Sequence, residues 1–385
     1  MKTISFSLPI LAFHYIISQT IASSLDFDIG DDLPQGYFPI SSTPPGSYCC
    51  SRLHPDFSTH LSYPDSRTYL DEQNGTRAYW SVYASNVQPS CRLTPTTTDE
   101  VARAVAALAG LRCKFAVRGG GHMFWAGAAN IQDGVTIDLS RFDGVEVKKD
   151  TSEKDQGDVG VVKVGGGARW VDVTRTLDPL GRAAVTGRVF DVGVGGLTLG
   201  GGNSWLAPRY GFVCDNVVNF EVSHPPCNFE TYQQIVLASG QILDVNRTSH
   251  PSLFRALKGG GNNFGVVTRF DLRTYPQGNL WGGFVVNPWT SSDDSNRQLG
   301  FLEAYGTASG AGVDDAATIE NVYNFNASGP QLIVNIAIHS DGRPDPPLLR
   351  NFTSAQPQVL NTLRSANLTN FIQEAGAGAS LYSMS

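Results

Sequence analysis

Val117-Arg118-Gly119-Gly120-Gly121-His122 sets three consecutive glycines between a strand-like run and a histidine. Glycine visits positive φ without steric cost and lets main chain approach a ligand closely, so such a bend can aim several amides at one phosphate. Three more clusters follow: Gly165-Gly166-Gly167, then Gly193, Gly195 and Gly196 with Gly200-Gly201-Gly202, then Gly259-Gly260-Gly261. Glycine accounts for 41 of 385 residues, above the usual share of roughly 7 %. The excess lies in these clusters and follows no collagen-like period. Any one of them alone is more simply a turn. Four in order, spaced as one domain would space them, point to a dinucleotide-holding domain.

The standard nucleotide signatures are absent. A G-x-G-x-x-G spacing from Gly193 would need glycine at Thr198, from Gly165 at Trp170, and from Gly119 at Phe124. No Gly-Lys pair occurs, which excludes a P-loop, and there is neither a G-x-S-x-G elbow nor an H-E-x-x-H helix. No metal is expected. The net charge of −7 at pH 7 gives no footprint for a nucleic-acid partner.

The chain is long enough for two to three domains. Residues 23–86 are rich in Pro, Ser and Tyr, have little periodicity, and read as an N-terminal arm laid over a domain. Thr97-Thr98-Asp99-Glu100 is a capping box, followed by Val101, Ala104, Val105 and Leu108 at helical spacing. Strands are expected at 114–117, 136–139 and 159–164, and a helix carries Trp170, Val173 and Leu177. A hairpin turns about Ser239-Gly240, and a helix opens at Ser249-His250-Pro251. From about residue 278 the pattern becomes a helix near 299–305 and two alternating strands, 318–325 and 332–338. The fold class is α+β, without the regular alternation of a doubly wound sheet.

Arg118-Gly119-Gly120-Gly121-His122, Val164-Gly165-Gly166-Gly167 and the run Asp191-Val192-Gly193-Val194-Gly195-Gly196-Leu197-Thr198-Leu199-Gly200-Gly201-Gly202 together resemble the FAD-binding domain of the vanillyl-alcohol oxidase/p-cresol methylhydroxylase family. His250-Pro251-Ser252-Leu253-Phe254 and Ala256-Leu257-Lys258-Gly259-Gly260-Gly261-Asn262-Asn263-Phe264-Gly265 resemble its berberine-bridge-enzyme-like branch, with secreted fungal oxidoreductases nearest. The resemblance implies a p-cresol-methylhydroxylase-type FAD-binding domain of two α+β subdomains over residues 87–277. A partial substrate domain of antiparallel sheet and flanking helices would follow over 278–385. It further implies that Arg118, Gly119, Gly120 and Gly121 wrap the FAD pyrophosphate and that His122 carries a covalent bond to the flavin 8α-methyl. Gly193, Gly196, Leu197, Gly200 and Gly201 would line the second side of the cofactor, and Asn263, Phe264 and Gly265 would close against it. Members with a doubly linked flavin carry a cysteine where this chain has Val189, so one histidyl link is expected.

The N-terminus reads as a signal peptide over residues 1–22: Lys2, an apolar run from Ile4 to Ile17, and a small-residue cleavage site at Ala22. Sequons at Asn74, Asn246, Asn326, Asn351 and Asn367 agree with a secreted glycoprotein that has no membrane span in its mature form. A disulfide from Cys49 or Cys50 to Cys91 is expected, and Cys113, inside an apolar run, reads as a buried free thiol. Residues 222–234, with Pro225-Pro226, interrupt what otherwise reads as one strand. They are either a retained intron translated in frame or a genuine surface loop. The family's C-terminal return over the flavin is not found before Ser385, so the substrate domain is expected to be truncated or the copy degenerate.

The implied activity is a secreted FAD-dependent oxidation of a small organic molecule, a secondary-metabolite alcohol or related intermediate, by hydride transfer to flavin N5 with molecular oxygen as acceptor. Alternatives are a carbohydrate or oligosaccharide oxidase of the same fold, and an inactive flavoprotein or binding protein. No catalytic base can be named; Tyr305 and Tyr323 have suitable chemistry.

Overall fold

In the computed structural model of the chain, residues 44–75, 78–148, 160–221, 235–308, 313–325 and 329–379 are described. The expected signal peptide, Asn326 and residues 222–234 lie outside them.

The segment read as an arm carries helices and one short strand where it is described. Helix α1 (Gly46–Phe57) buries Cys49, Cys50, Leu53 and Phe57, and they join a core with Val101, Val105 and Leu108 of α2 (Thr98–Gly110). The apolar positions of α1 are spaced i, i+3/i+4, but two adjacent cysteines and Pro55 mask the period in the sequence. The capping box on α2 forms as expected: Glu100 N donates to Thr97 Oγ1 at 3.3 Å and Thr97 N donates back to Glu100 Oε2 at 3.2 Å.

Four strands make the first sheet. They are β1 (Leu61–Ser62), β2 (Cys91–Leu93), β3 (Phe115–Arg118) and β4 (Val135–Asp138), in the order β1-β2-β4-β3, with β2 and β3 parallel to β4. Two bridges staple α1 to it: Cys50–Cys91, and Cys49–Cys113 just before β3. Cys113 is therefore not a free thiol. Consecutive helical residues point about 100° apart, so adjacent cysteines reach different partners. Among the described residues the free cysteine is Cys214, which is buried, and burial pushes its thiol pKa up.

Next come β5 (Val145–Lys148), β6 (Gly160–Gly165), β7 (Arg182–Ala184), β8 (Val217–Glu221), β9 (Ile235–Val236), β10 (Ile242–Leu243), β11 (Val266–Val267) and β12 (Arg269–Pro276). Strand β12 is the hub of the second sheet, antiparallel to β6, β7 and β8. Helix α3 (Trp170–Leu177) and helix α4 (Val194–Leu199) pack beside it, and the fully buried Trp170, Val173, Val194 and Phe270 form this core. Strands β9, β10 and β11 form a small antiparallel sheet of their own, and a third large sheet, also antiparallel, holds β12's neighbour in sequence, β13 (Leu280–Pro288), with β14 (Ala317–Asn324), β15 (Leu332–His339), β16 (Leu360–Asn361) and β17 (Arg364–Ala366). Helices α5 (Ser292–Thr307) and α6 (Leu368–Ala379) flank it. The architecture is mixed α and β with several antiparallel sheets, as expected.

The flanks of residues 222–234 bear on their origin. Glu221 pairs with Arg269 and Ile235 pairs with Val267, successive pairing positions on one partner run. Between them Thr268 belongs to neither strand; its hydroxyl meets Thr98 at 3.2 Å and its carbonyl accepts from Gly166 N at 2.7 Å. Joining Glu221 directly to Ile235 would thus give one strand with Thr268 as the extra residue of a bulge opposite. Excising 222–234 is expected to leave the thermal midpoint unchanged or higher. A fall of more than about 5 °C, roughly 2 kcal/mol, would show that those residues hold the fold.

Candidate functional site

The expected glycine bends meet. A β-carbon at Gly120 would lie 2.3 Å from the amide nitrogen of Gly193, and one at Gly193 would lie 2.4 Å from that of Gly120. Gly119 and Gly195 both approach the carbonyl oxygen of Gly166, at 3.1 and 2.6 Å from their built β-carbons. The 119–121, 165–167 and 193–196 segments are therefore packed main chain on main chain. Most of these glycines are required by one another, not directly by a ligand. Gly196 and Gly201 differ, since a β-carbon on either meets nothing within 4 Å. Among the described residues, the amides of Gly120, Gly121 and His122 carry no main-chain hydrogen bond. Unpaired amides beside open-faced glycines fit a diphosphate, whose oxygens would complete them.

Other expected residues take different places. Arg118 is buried, bonds Asp138 Oδ2 and lies over the Tyr79 ring at 5.1 Å. It anchors the bend from beneath. A second buried guanidinium, Arg92, joins Asp138, Gln73 and Tyr79 in the same network. Leu197 is half-buried against Gly187 and the core. Asn263 donates to Gly260 O at 2.7 Å, Phe264 is exposed, and Gly261 N donates to Leu199 O, which brings this turn to the end of α4. Gly200 is exposed just after that helix.

His122 projects from the first bend and its Nε2 meets Asp191 Oδ1 at 3.2 Å, both side chains partly exposed. The Trp80 ring stacks on the imidazole with centroids 6.2 Å apart. Partial burial raises the Asp191 carboxyl, but the hydrogen bond from His122 and the charges of His122 and Arg169 outweigh it and hold the group below the ordinary carboxylate value. Neither partner was evident in the sequence. Asp191 sits within the 187–193 segment, and Trp80 lies in the stretch read as an arm.

Three residues earlier in the same segment, Arg188 reaches the third sheet and pairs with Glu320 on β14, whose Oε1 also accepts from Trp205 Nε1 at 2.5 Å. Thr318 donates to Trp205 O at 2.8 Å from the same face of β14. Tyr305 and Tyr323 occupy the opposite side. The Tyr305 hydroxyl donates to Ala317 O at 2.9 Å, Tyr323 packs edge-on against Trp289, and Asn321 between them bonds Asn335 and Gln298 of α5. Alternation along β14 puts Tyr323 on the side away from Glu320, and Tyr305 of α5 packs on that same side beside Ala317 and Ile319, so neither tyrosine shares the face of Glu320. A cavity of about 280 Å³, lined by Asp215, Arg247, Lys258 and Arg273 among others, lies elsewhere, and burial lowers the Lys258 pKa there. Among the described residues no cluster of His, Cys, Asp and Glu could hold a metal ion, and no helix is long and apolar enough to cross a membrane.

Residues 89–226 match the FAD binding domain family. The chain is 35 % identical over 324 residues to an FAD-dependent monooxygenase of Cochliobolus heterostrophus, covering 82 % of this chain and 57 % of that one. It is 37 % identical over 306 residues to one of Fusarium proliferatum, covering 77 % and 53 %. The chain thus spans little more than half the length of these relatives. Among solved structures, 6-hydroxy-D-nicotine oxidase of Arthrobacter nicotinovorans matches with a TM-score of 0.67 at 22 % identity, over 83 % of this chain and 63 % of that one. Xylooligosaccharide oxidase of Myceliophthora thermophila matches with a TM-score of 0.65 at 20 % identity, over 84 % and 63 %. At such identities the structural matches show the fold alone. The chain thus carries an FAD binding domain, is similar in sequence to fungal FAD-dependent monooxygenases, and has the fold of vanillyl-alcohol-oxidase-type and berberine-bridge-enzyme-like flavoproteins.

Proposed function

We propose that the chain is the FAD-binding and part of the substrate-binding portion of a secreted oxidoreductase that holds FAD through one bond from His122 and oxidises a small organic molecule. The observation that carries this is the meeting of the 119–122 and 193–196 bends, with amides free of main-chain bonds and a partly exposed imidazole at their junction. Bound flavin would supply a hydride acceptor at N5 and pass the electrons to molecular oxygen. The chain's own residues cradle the diphosphate through main-chain amides, fix the ring edge through His122, and present Arg188 and Glu320 between that site and the third sheet. A charged pair there suits a polar or anionic substrate group. Half-buried Val189 stands where a second link would need a cysteine, which supports a single one.

The relatives named as fungal monooxygenases favour a secondary-metabolite substrate; carbohydrate oxidases share only the fold. Two disulfides support an oxidising compartment. Asn74 and Asn351 are exposed and suit glycosylation, whereas Asn246 and Asn367 accept hydrogen bonds through their Oδ1 atoms from neighbouring amides.

One preparation tests these points. Protein collected from the culture medium should lose mass with an N-glycosidase, absorb as a flavoprotein, and keep its yellow colour in the acid-precipitated pellet. His122→Ala should move nearly all flavin to the supernatant. A parent protein with no flavin at all would leave only a flavin-free binding protein.

A further inference from the structure

We propose that Asp191 is the positioning residue for covalent flavin attachment: its carboxylate holds Nε2 of His122 and so leaves Nδ1 as the atom that bonds the flavin 8α-carbon. This rests on the flavoprotein reading above and adds to it the attacking atom and the residue that selects it.

Imidazole has two nitrogens, and the hydrogen bond made by one fixes the tautomer and the role of the other. His122 Nε2 lies 3.2 Å from Asp191 Oδ1, so in the neutral ring the proton sits on Nε2 and the Nδ1 lone pair is free. Trp80 stacks nearly parallel to the ring, at 20°, and limits its rotation. A carboxylate on the far nitrogen also fixes the ring's orientation, as acidic partners do for metal-ligating histidines.

Asp191 is itself immobilised. Its carbonyl accepts from the Arg169 guanidinium, and the residues on either side are tied down as well. Phe190 N donates to Ile372 O of α6 at 3.1 Å and Phe190 O accepts from Val171 N of α3 at 2.9 Å, while Val192 O accepts from Trp170 N at 3.2 Å. The carboxylate is thus presented from a segment pinned between two helices. Such rigidity is what a positioning role needs and a surface ion pair lacks.

The attachment balances with dioxygen as oxidant. One C–H bond of the methyl breaks and one Nδ1–C bond forms, the imidazole gives up its Nε2 proton, and two electrons with two protons are left on the flavin. Dioxygen removes these as hydrogen peroxide. The imidazolium that develops as Nδ1 bonds is stabilised by the Asp191 charge before its Nε2 proton departs.

Apoprotein of the full chain mixed with FAD in air, sampled over time and resolved on denaturing gels, reads attachment directly as in-gel flavin fluorescence. Asp191→Ala should slow it roughly tenfold or more. Asp191→Asn keeps the shape and an acceptor for Nε2 but lacks the charge, and should fall between Asp191→Ala and the parent; Asp191→Glu should recover part of the rate. Bound but unattached flavin, released by acid, should stay comparable in all three, and a shared thermal midpoint shows that the fold is kept. Attachment in both Asp191→Ala and Asp191→Asn at the parent's rate overturns the inference and leaves the histidyl link standing. A parent that binds flavin without attaching it overturns the link and the inference together, and a parent that binds none overturns the flavoprotein reading as well.

Discussion

Gly120→Val is expected to cost the chain both its flavin and a large part of its stability. The first side-chain carbon alone would sit 2.3 Å from Gly193 N and 2.4 Å from Gly193 Cα, more than 1 Å inside van der Waals contact. Nothing flexible lies opposite, because both partners are main chain, so the two bends must part. Overpacking of this kind costs about 3 kcal/mol or more, which corresponds to a fall of roughly 6–12 °C in thermal midpoint. A gap of 1 Å between the bends also separates the amides that would share a diphosphate, and flavin retained after gel filtration should drop below detection. Gly196→Ala provides the contrast, since a β-carbon there meets nothing within 4 Å. It should keep the midpoint within about 2 °C, the usual range for an unobstructed surface position, while projecting a methyl into the space assigned to the cofactor. If Gly120→Val binds flavin like the parent, the meeting of the bends has no functional meaning.

The local signals in the sequence carried much of the fold because each had a short-range cause. Thr97 and Glu100 cap α2 by contacts three residues apart, and the strands before the glycine bends begin and end within a residue or two of their expected limits. What stayed hidden depended on long-range placement. Nothing local to Cys113 distinguishes a thiol in an apolar run from one that α1 will cross. Asp191 and His122 are 69 positions apart and meet only because the glycines between their bends interlock. The same applies to Glu320, which acquires a role from Arg188 and Trp205 in other segments, while Tyr323 is turned away by the alternation of β14 towards the side where Tyr305 of α5 packs. The glycine clusters are legible in the sequence, but their immediate cause lies in long-range packing. They allow backbone to pack on backbone, and the ligand cradle is a consequence.

The disulfides give the second large effect. Cys50–Cys91 and Cys49–Cys113 close loops of 41 and 64 residues, each worth about 4 kcal/mol if it were the sole crosslink on the chain-entropy account. They are not independent, because Cys49 and Cys50 are neighbours and either bridge shortens the loop that the other closes. Losing one should therefore cost about 3 kcal/mol, and losing both more than twice as much as a single isolated thiol change. The double replacement Cys49→Ala with Cys113→Ala avoids leaving Cys49 free to exchange with its neighbour's bridge. It should lower the thermal midpoint by roughly 6–12 °C, and dithiothreitol should lower the parent's by more. A free Cys113 would behave otherwise: its replacement by alanine would remove one small buried group, dithiothreitol would act through the other bridge alone, and alkylation of the unreduced, denatured protein would label Cys113. Peptide mapping without reduction decides between them, since a linked fragment containing Cys49 and Cys113 exists only if α1 is stapled across the strand that leads into the first glycine bend. That staple holds the base of the bend from which His122 projects, so in the doubly replaced protein flavin should be lost at lower temperature than in the parent, in step with unfolding of the first sheet.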